Sequence, residues 1–128
     1  MKTINGKDFR KMIIAGANNL QKNKQYIDDL NVFPVPDGDT GTNMRLTLEM
    51  GWSQSKDIKD ISLFSKALSR GMLIGARGNS GVILSQLFKG ISNGLKGYEK
   101  ADVVTFAKSL ITSYENALYH LEWYNDNS

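Results

Sequence analysis

Two aspartates, Asp37 and Asp39, flank Gly38 in the segment Pro36-Asp-Gly-Asp-Thr-Gly-Thr-Asn43. Carboxylates this close repel each other when both are ionised, and a cation beside them relieves the repulsion. Hard oxygen ligands select Mg²⁺ or Ca²⁺. The EF-hand pattern fails, because counting from Asp37 its glycine position holds Thr42 and its closing glutamate position holds Leu48. Mg²⁺ commonly takes one or two carboxylates and completes its shell with water and substrate phosphates, an arrangement that two aspartates without a full protein cage suit. Thr40, Gly41, Thr42 and Asn43 then lead into a helix whose first N–H groups have no intrahelical partner and favour a phosphate. The same residues also make an ordinary Asp-Gly turn with an Asx or N-cap motif. Local chemistry leaves both readings open.

A second loop, Gly75-Ala-Arg-Gly-Asn-Ser-Gly81, carries glycines that allow a ligand close to the backbone. Arg77 offers a guanidinium, and Asn79 or Ser80 is placed to cap the helix that follows. No Gly-Lys-Ser/Thr closes the loop, so it is not a Walker A motif. Alone it is most simply a helix–loop–helix corner. Two glycine-rich loops, each opening a helix, make a joint nucleotide site more plausible than either does separately. Other chemistry is poorly supplied. His120 is the single histidine and cysteine is absent, which excludes histidine clusters, thiolate metal sites and disulfide scaffolds. Ser65, Ser69 and Ser85 lie in helical runs with no histidine nearby in sequence to activate them.

The elements that must position these loops read as helices. Asn5 caps a run in which Phe9, Met12, Ile13, Gly16, Ala17 and Leu20 recur at helical spacing, with Asp8 in its first turn. Tyr26, Ile27 and Leu30 add a short helical piece before Pro34 and Pro36, which forbid helix. Helix resumes around Thr42, again from Ile61 to Ile74, and again through Val82, Ile83, Gln86, Leu87, Gly90, Ile91, Gly94 and Leu95. Glycine inside a helix costs about 1 kcal/mol, so Gly90 and Gly94 imply a close approach by a helix or a ligand. Asp102 caps a last helix with a face of Val103, Phe106, Ala107, Leu110, Ile111, Tyr114, Leu118 and Leu121. No alternating strand is visible, and the expected architecture is all-α.

The chain has 128 residues, 41% hydrophobic and 23% charged, which suits one globular domain. A net charge of +3 without a Lys/Arg run makes no case for nucleic acid. Met1-Lys-Thr-Ile-Asn-Gly-Lys-Asp8 has no apolar stretch behind its lysine, so no signal peptide is read there. No window approaches a membrane-spanning apolar run. A cytoplasmic protein without a transmembrane segment is the expectation.

Asn31-Val-Phe-Pro-Val-Pro-Asp-Gly-Asp-Thr-Gly-Thr-Asn-Met44 and Gly75-Ala-Arg-Gly-Asn-Ser-Gly-Val-Ile-Leu-Ser-Gln86 resemble the two signatures of a DhaL-type ATP-binding domain of the dihydroxyacetone kinase superfamily. The likeness is nearest to the N-terminal domain of bacterial fatty-acid kinase. It implies an antiparallel helical barrel, of which this chain would form the first half, with ATP and Mg²⁺ bound at one end. On that resemblance Asp37 and Asp39 hold Mg²⁺. Asn31 falls near a further metal-site aspartate, as asparagine and at a different spacing from Asp37. Thr40, Gly41, Thr42, Asn43, Gly78, Asn79, Ser80 and Gly81 match positions lining the phosphates, with Met72 and Leu73 near the nucleotide.

The resemblance also implies a phosphotransferase whose acceptor is a fatty acid presented by a separate fatty-acid-binding partner protein. It covers residues 1–119 as an incomplete Mg-ATP-binding domain and leaves 120–128 as a divergent C-terminal tail. His120-Leu-Glu-Trp-Tyr-Asn-Asp-Asn-Ser128 stands where the family continues with further helices, so the expectation is a C-terminally truncated domain, incomplete for catalysis alone. Such a chain would self-associate or pair with the missing C-terminal part. Two alternatives stand beside this reading: a dihydroxyacetone (glycerone) kinase-like subunit, and a truncated, inactive helical interaction module.

Overall fold

The computed structural model describes residues 2–30 and 39–126, with Glu122 the one side chain described beyond Tyr119. Asn31, Asp37, both prolines, and the side chains of His120 and Trp123 lie outside the described residues. The architecture is all-α, as the spacing of apolar residues predicts. In chain order the elements are β1 (Thr3–Ile4), α1 (Gly6–Lys22), α2 (Lys24–Leu30), α3 (Thr40–Ser53), α4 (Ile61–Ile74), α5 (Gly78–Gly94), β2 (Ala101–Asp102) and α6 (Val103–Asp126).

α1 and α4 start where a side chain supplies an acceptor. Asn5 and Asp8 form a reciprocal capping box at 3.0 Å in both directions, which fixes the start of α1. Asp60 caps α4 by accepting from the Leu63 amide at 2.9 Å. Two starts differ from expectation. α3 begins at Thr40 instead of Thr42, and α5 begins at Gly78, so only Gly75-Ala-Arg77 separates it from α4. Asn79 and Ser80 therefore sit within the first turn of α5, and no side chain caps that helix. The expected two-residue choice of cap is corrected.

Phe9 is the hub of the core. Its ring meets Phe64 of α4 edge-on at 5.6 Å, Phe106 of α6 edge-on at 5.2 Å, and Phe88 of α5 in a stack at 6.5 Å. Around it pack Ile13 and Ala17 of α1, Leu48 of α3, Ile61, Leu68 and Met72 of α4, and Ile91 of α5. The strands missing from the sequence reading form a two-residue antiparallel ladder, Thr3 opposite Asp102 and Ile4 opposite Ala101. Two residues carry no readable alternation. The ladder, with the Ile61 amide donating to Glu99 O at 2.9 Å, gathers the starts of α1, α4 and α6 at one end.

Gly90 and Gly94 serve a helix–helix approach. A Cβ on Gly90 would stand 2.5 Å from Ser113 Cα, and one on Gly94 2.6 Å from Ser109 Cα. Ser113 Oγ also donates to Leu87 O at 2.6 Å, and Asn116 Nδ2 to Gln86 O at 3.0 Å. Of the face read on α6, Phe106 packs against the core while Val103, Leu110, Ile111, Tyr114 and Leu118 are exposed, and the small residues Ser109 and Ser113 turn into α5. Small side chains win because they alone permit the backbone contact.

Asp102 caps α6, its Oδ1 accepting from the Thr105 amide at 2.8 Å. That hydrogen bond holds its carboxyl below the ordinary value of 3.8. A depressed folded-state pKa adds stability that is complete above the unfolded value and fades as pH falls through the folded one. Asp102→Ala should therefore lower the melting temperature at neutral pH, and the deficit should narrow in melts run at successively lower pH, as the wild-type carboxyl takes up its proton below the ordinary carboxylate range.

Candidate functional site

α3, α4 and α5 are joined by short connections, so α3 and α5 run the same way and their first turns adjoin. Thr47 fastens them. Its Oγ1 donates to Asn43 O at 2.7 Å and accepts from the Arg77 amide at 3.1 Å, a contact between residues 30 apart in sequence. Thr47 is fully buried. Glycine is required on the α5 side of this contact. Gly78 has φ +67°, and a Cβ there would lie 2.7 Å from Asn43 Nδ2. A Cβ on Gly81, one turn further, would collide with Thr47 Oγ1. The start of α3 and the loop before α5 thus converge on one end of the bundle, away from the β-ladder.

The two helix starts are electrically unlike. Beside α3, Asp39 is exposed and its Oδ1 accepts from Asn43 Nδ2 at 3.1 Å. Buried Asp28 of α2 accepts from the Gly41 amide at 2.8 Å, so that amide is already engaged. Two carboxylates therefore flank the beginning of α3. At α5 the amides of Gly78, Asn79 and Ser80 have no acceptor among the described residues, and Ser80 Oγ is buried without a partner. Unpaired donors at a helix N-terminus fit an anionic group. One side suits a cation and the other a phosphate.

Of the residues singled out in the sequence, the structure brings together Asp39, Thr40, Gly41, Thr42 and Asn43 with Gly78, Asn79, Ser80 and Gly81. Asp37 and Asn31 lie outside the described residues, and no group of three potential metal-ligating side chains occurs among those described. Met72 is wholly buried against Gly51, and Leu73 is half-exposed beside the groove between α4 and α5. Asp28 and Thr47 escaped the sequence reading. Asp28 reaches its partner across the proline segment, and Thr47 sits in mid-helix, where nothing in the spacing marks it.

Thr47→Val keeps the shape of the side chain but strips the acceptor from the Arg77 amide. Leaving that partly buried donor unpaired should cost about 1–3 kcal/mol. A lower melting temperature, with faster hydrogen exchange at Arg77 than at the α1 core amides, is the expected result.

A DAK2 domain model matches residues 34–122, a stretch that contains both loops and α3, α4 and α5 entire. The chain belongs to the DAK2 domain family. Its kinship with the dihydroxyacetone kinase superfamily, read from the two loops, therefore holds at the level of the family. Among similar proteins, Protein YloV of Bacillus subtilis is 50% identical over 112 residues, 86% of this chain and 20% of YloV. An uncharacterized protein of Staphylococcus epidermidis is 50% identical over 116 residues, 89% of this chain and 21% of that protein. The chain thus spans about one fifth of the length of these relatives. Among the described residues, no helix is long and apolar enough to cross a membrane.

Proposed function

We propose that this chain is the Mg-ATP-binding portion of a DAK2-family phosphotransferase, with the nucleotide phosphates lodged between the starts of α3 and α5. The observation that carries the reading is the Thr47 bridge, which sets a carboxylate-flanked helix start beside one with open amides. In this arrangement the Gly78, Asn79 and Ser80 amides and the Ser80 hydroxyl take phosphate oxygens, while Asp39, with Asp37 before it in sequence, takes Mg²⁺. The ion would neutralise charge on the phosphates, and the fixed donors of α5 would hold them in one direction. Gly78 and Gly81 keep the approach to those donors open.

The acceptor we assign is a fatty-acid carboxylate presented by a separate fatty-acid-binding protein, giving an acyl phosphate. The Val32-Phe-Pro-Val-Pro36 stretch before the aspartates supports that branch over a dihydroxyacetone kinase. Titration calorimetry of the chain with ATP, with and without Mg²⁺, tests the nucleotide site. Mg²⁺-dependent binding is expected. Absence of binding both by the chain alone and with the rest of a homologous DAK2 domain added would reject the reading. An acceptor assay on the completed protein separates acyl carboxylates from dihydroxyacetone.

A further inference from the structure

α4 and α5 together carry no acidic residue, and their charged side chains are Lys66, Arg70 and Lys89 alone. All three line one groove of about 290 Å³ between the two helices. None of them makes an ion pair among the described residues; the pair Arg45–Glu49 lies on α3. Lys66 and Arg70 stand one helical turn apart on α4, a spacing at which like charges repel. Folding gains nothing from setting three unpaired cations around one depression.

The remaining surface of the groove narrows the choice of ligand. Leu73 lines the groove, and α4 also exposes Leu63 and Ile74 to solvent. An inorganic anion would use the cations but not the apolar residues. A bilayer surface would press against a convex basic face, whereas these cations line a recess. A peptide offers carboxylates and apolar side chains together.

We propose that the groove between α4 and α5 is a docking site for an acidic, amphipathic segment of a partner protein, whose carboxylates pair with Lys66, Arg70 and Lys89. Charge complementarity of this kind governs partner choice and association rate, and weakens with salt. The site is separate from the starts of α3 and α5 and makes no use of nucleotide.

The test uses the full chain without ATP and a fluorescein-labelled helical peptide with glutamates on one face and leucines on the other. Fluorescence anisotropy should show binding that weakens as salt is raised. Arg70→Glu with Lys89→Glu should reduce affinity at least tenfold, while Lys11→Glu with Lys108→Glu, on other helices, should change it less than twofold. The neutral pair Arg70→Gln and Lys89→Gln should fall between, which guards against misfolding of the reversed variant. Equal losses in the two reversed variants would overturn the proposal, as would failure of the peptide to bind. It would also fall if millimolar inorganic phosphate displaced the peptide fully, or if phosphatidylglycerol vesicles alone bound in a manner lost with Arg70 and Lys89.

Discussion

Alanine at both Gly90 and Gly94 should lower the melting temperature of this chain by about 10 °C, against the sense that helix propensity dictates. Propensity alone favours alanine by about 1 kcal/mol at each position. Each added methyl, however, would stand 2.5 or 2.6 Å from a Cα atom of α6, and a backbone atom cannot rotate away. The helices must separate, which also lengthens the Ser113 and Asn116 hydrogen bonds to Leu87 O and Gln86 O. Overpacking of this sort costs about 1–3 kcal/mol per site, and two coupled sites on one interface reach the upper part of that range. The net deficit is then about 2–3 kcal/mol, or roughly 10 °C for a chain of this size.

Gly16 provides the contrast. It lies within α1 and a Cβ there would meet nothing within 4 Å. Gly16→Ala should raise the melting temperature by a few degrees, the gain of about 1 kcal/mol that propensity predicts. Thermal denaturation of the two variants side by side separates the effects. A stabilised Gly90→Ala/Gly94→Ala protein would mean that α5 and α6 do not pack backbone to backbone.

This contrast shows where the sequence is legible and where it is silent. Glycines spaced four apart in an apolar helix announce a close approach, since their cost must be offset, but they do not say whether a helix or a ligand comes near. Ser109 and Ser113 answer that, and their partnership with glycines on another helix has no local signature. Asn5 and Asp102 are readable because a cap and its amide are three residues apart. Thr47 and Asp28 are not, because their partners are 30 and 13 residues away. The periodicity of α4 gives both its ends, Ile61 and Ile74, since a polar connection and a glycine bound the run. On α6 periodicity marks an apolar face but not the serine edge, Ser109 and Ser113, that the contacts with α5 select.

The same division applies to the candidate site. Both loops are visible as composition, yet their meeting depends on the parallel course of α3 and α5 and on a threonine in the second turn of α3. The difference between their helix starts is also tertiary. Asp28 engages the first amide region of α3 and adds negative charge there, which a helix N-terminus welcomes. The open donors therefore lie on α5 and the carboxylates on α3, which is the division the proposed Mg-ATP reading requires.

From that division follows the largest functional effect, in the variant Asp37→Asn/Asp39→Asn. Amide side chains keep the size of the carboxylates but carry no charge with which to hold Mg²⁺. Loss of the ion leaves the nucleotide's own negative charge beside Asp28 with nothing to offset it. Mg²⁺-dependent ATP affinity should fall about a hundredfold, equivalent to about 2.7 kcal/mol. Stability should change little, because Asp39 is exposed and an asparagine oxygen still accepts from Asn43 Nδ2. Calorimetric titration paired with thermal melts reads both quantities on one sample. Unaltered nucleotide affinity in a folded double variant would detach the aspartates from ATP binding and leave a helical interaction module as the better account of this chain.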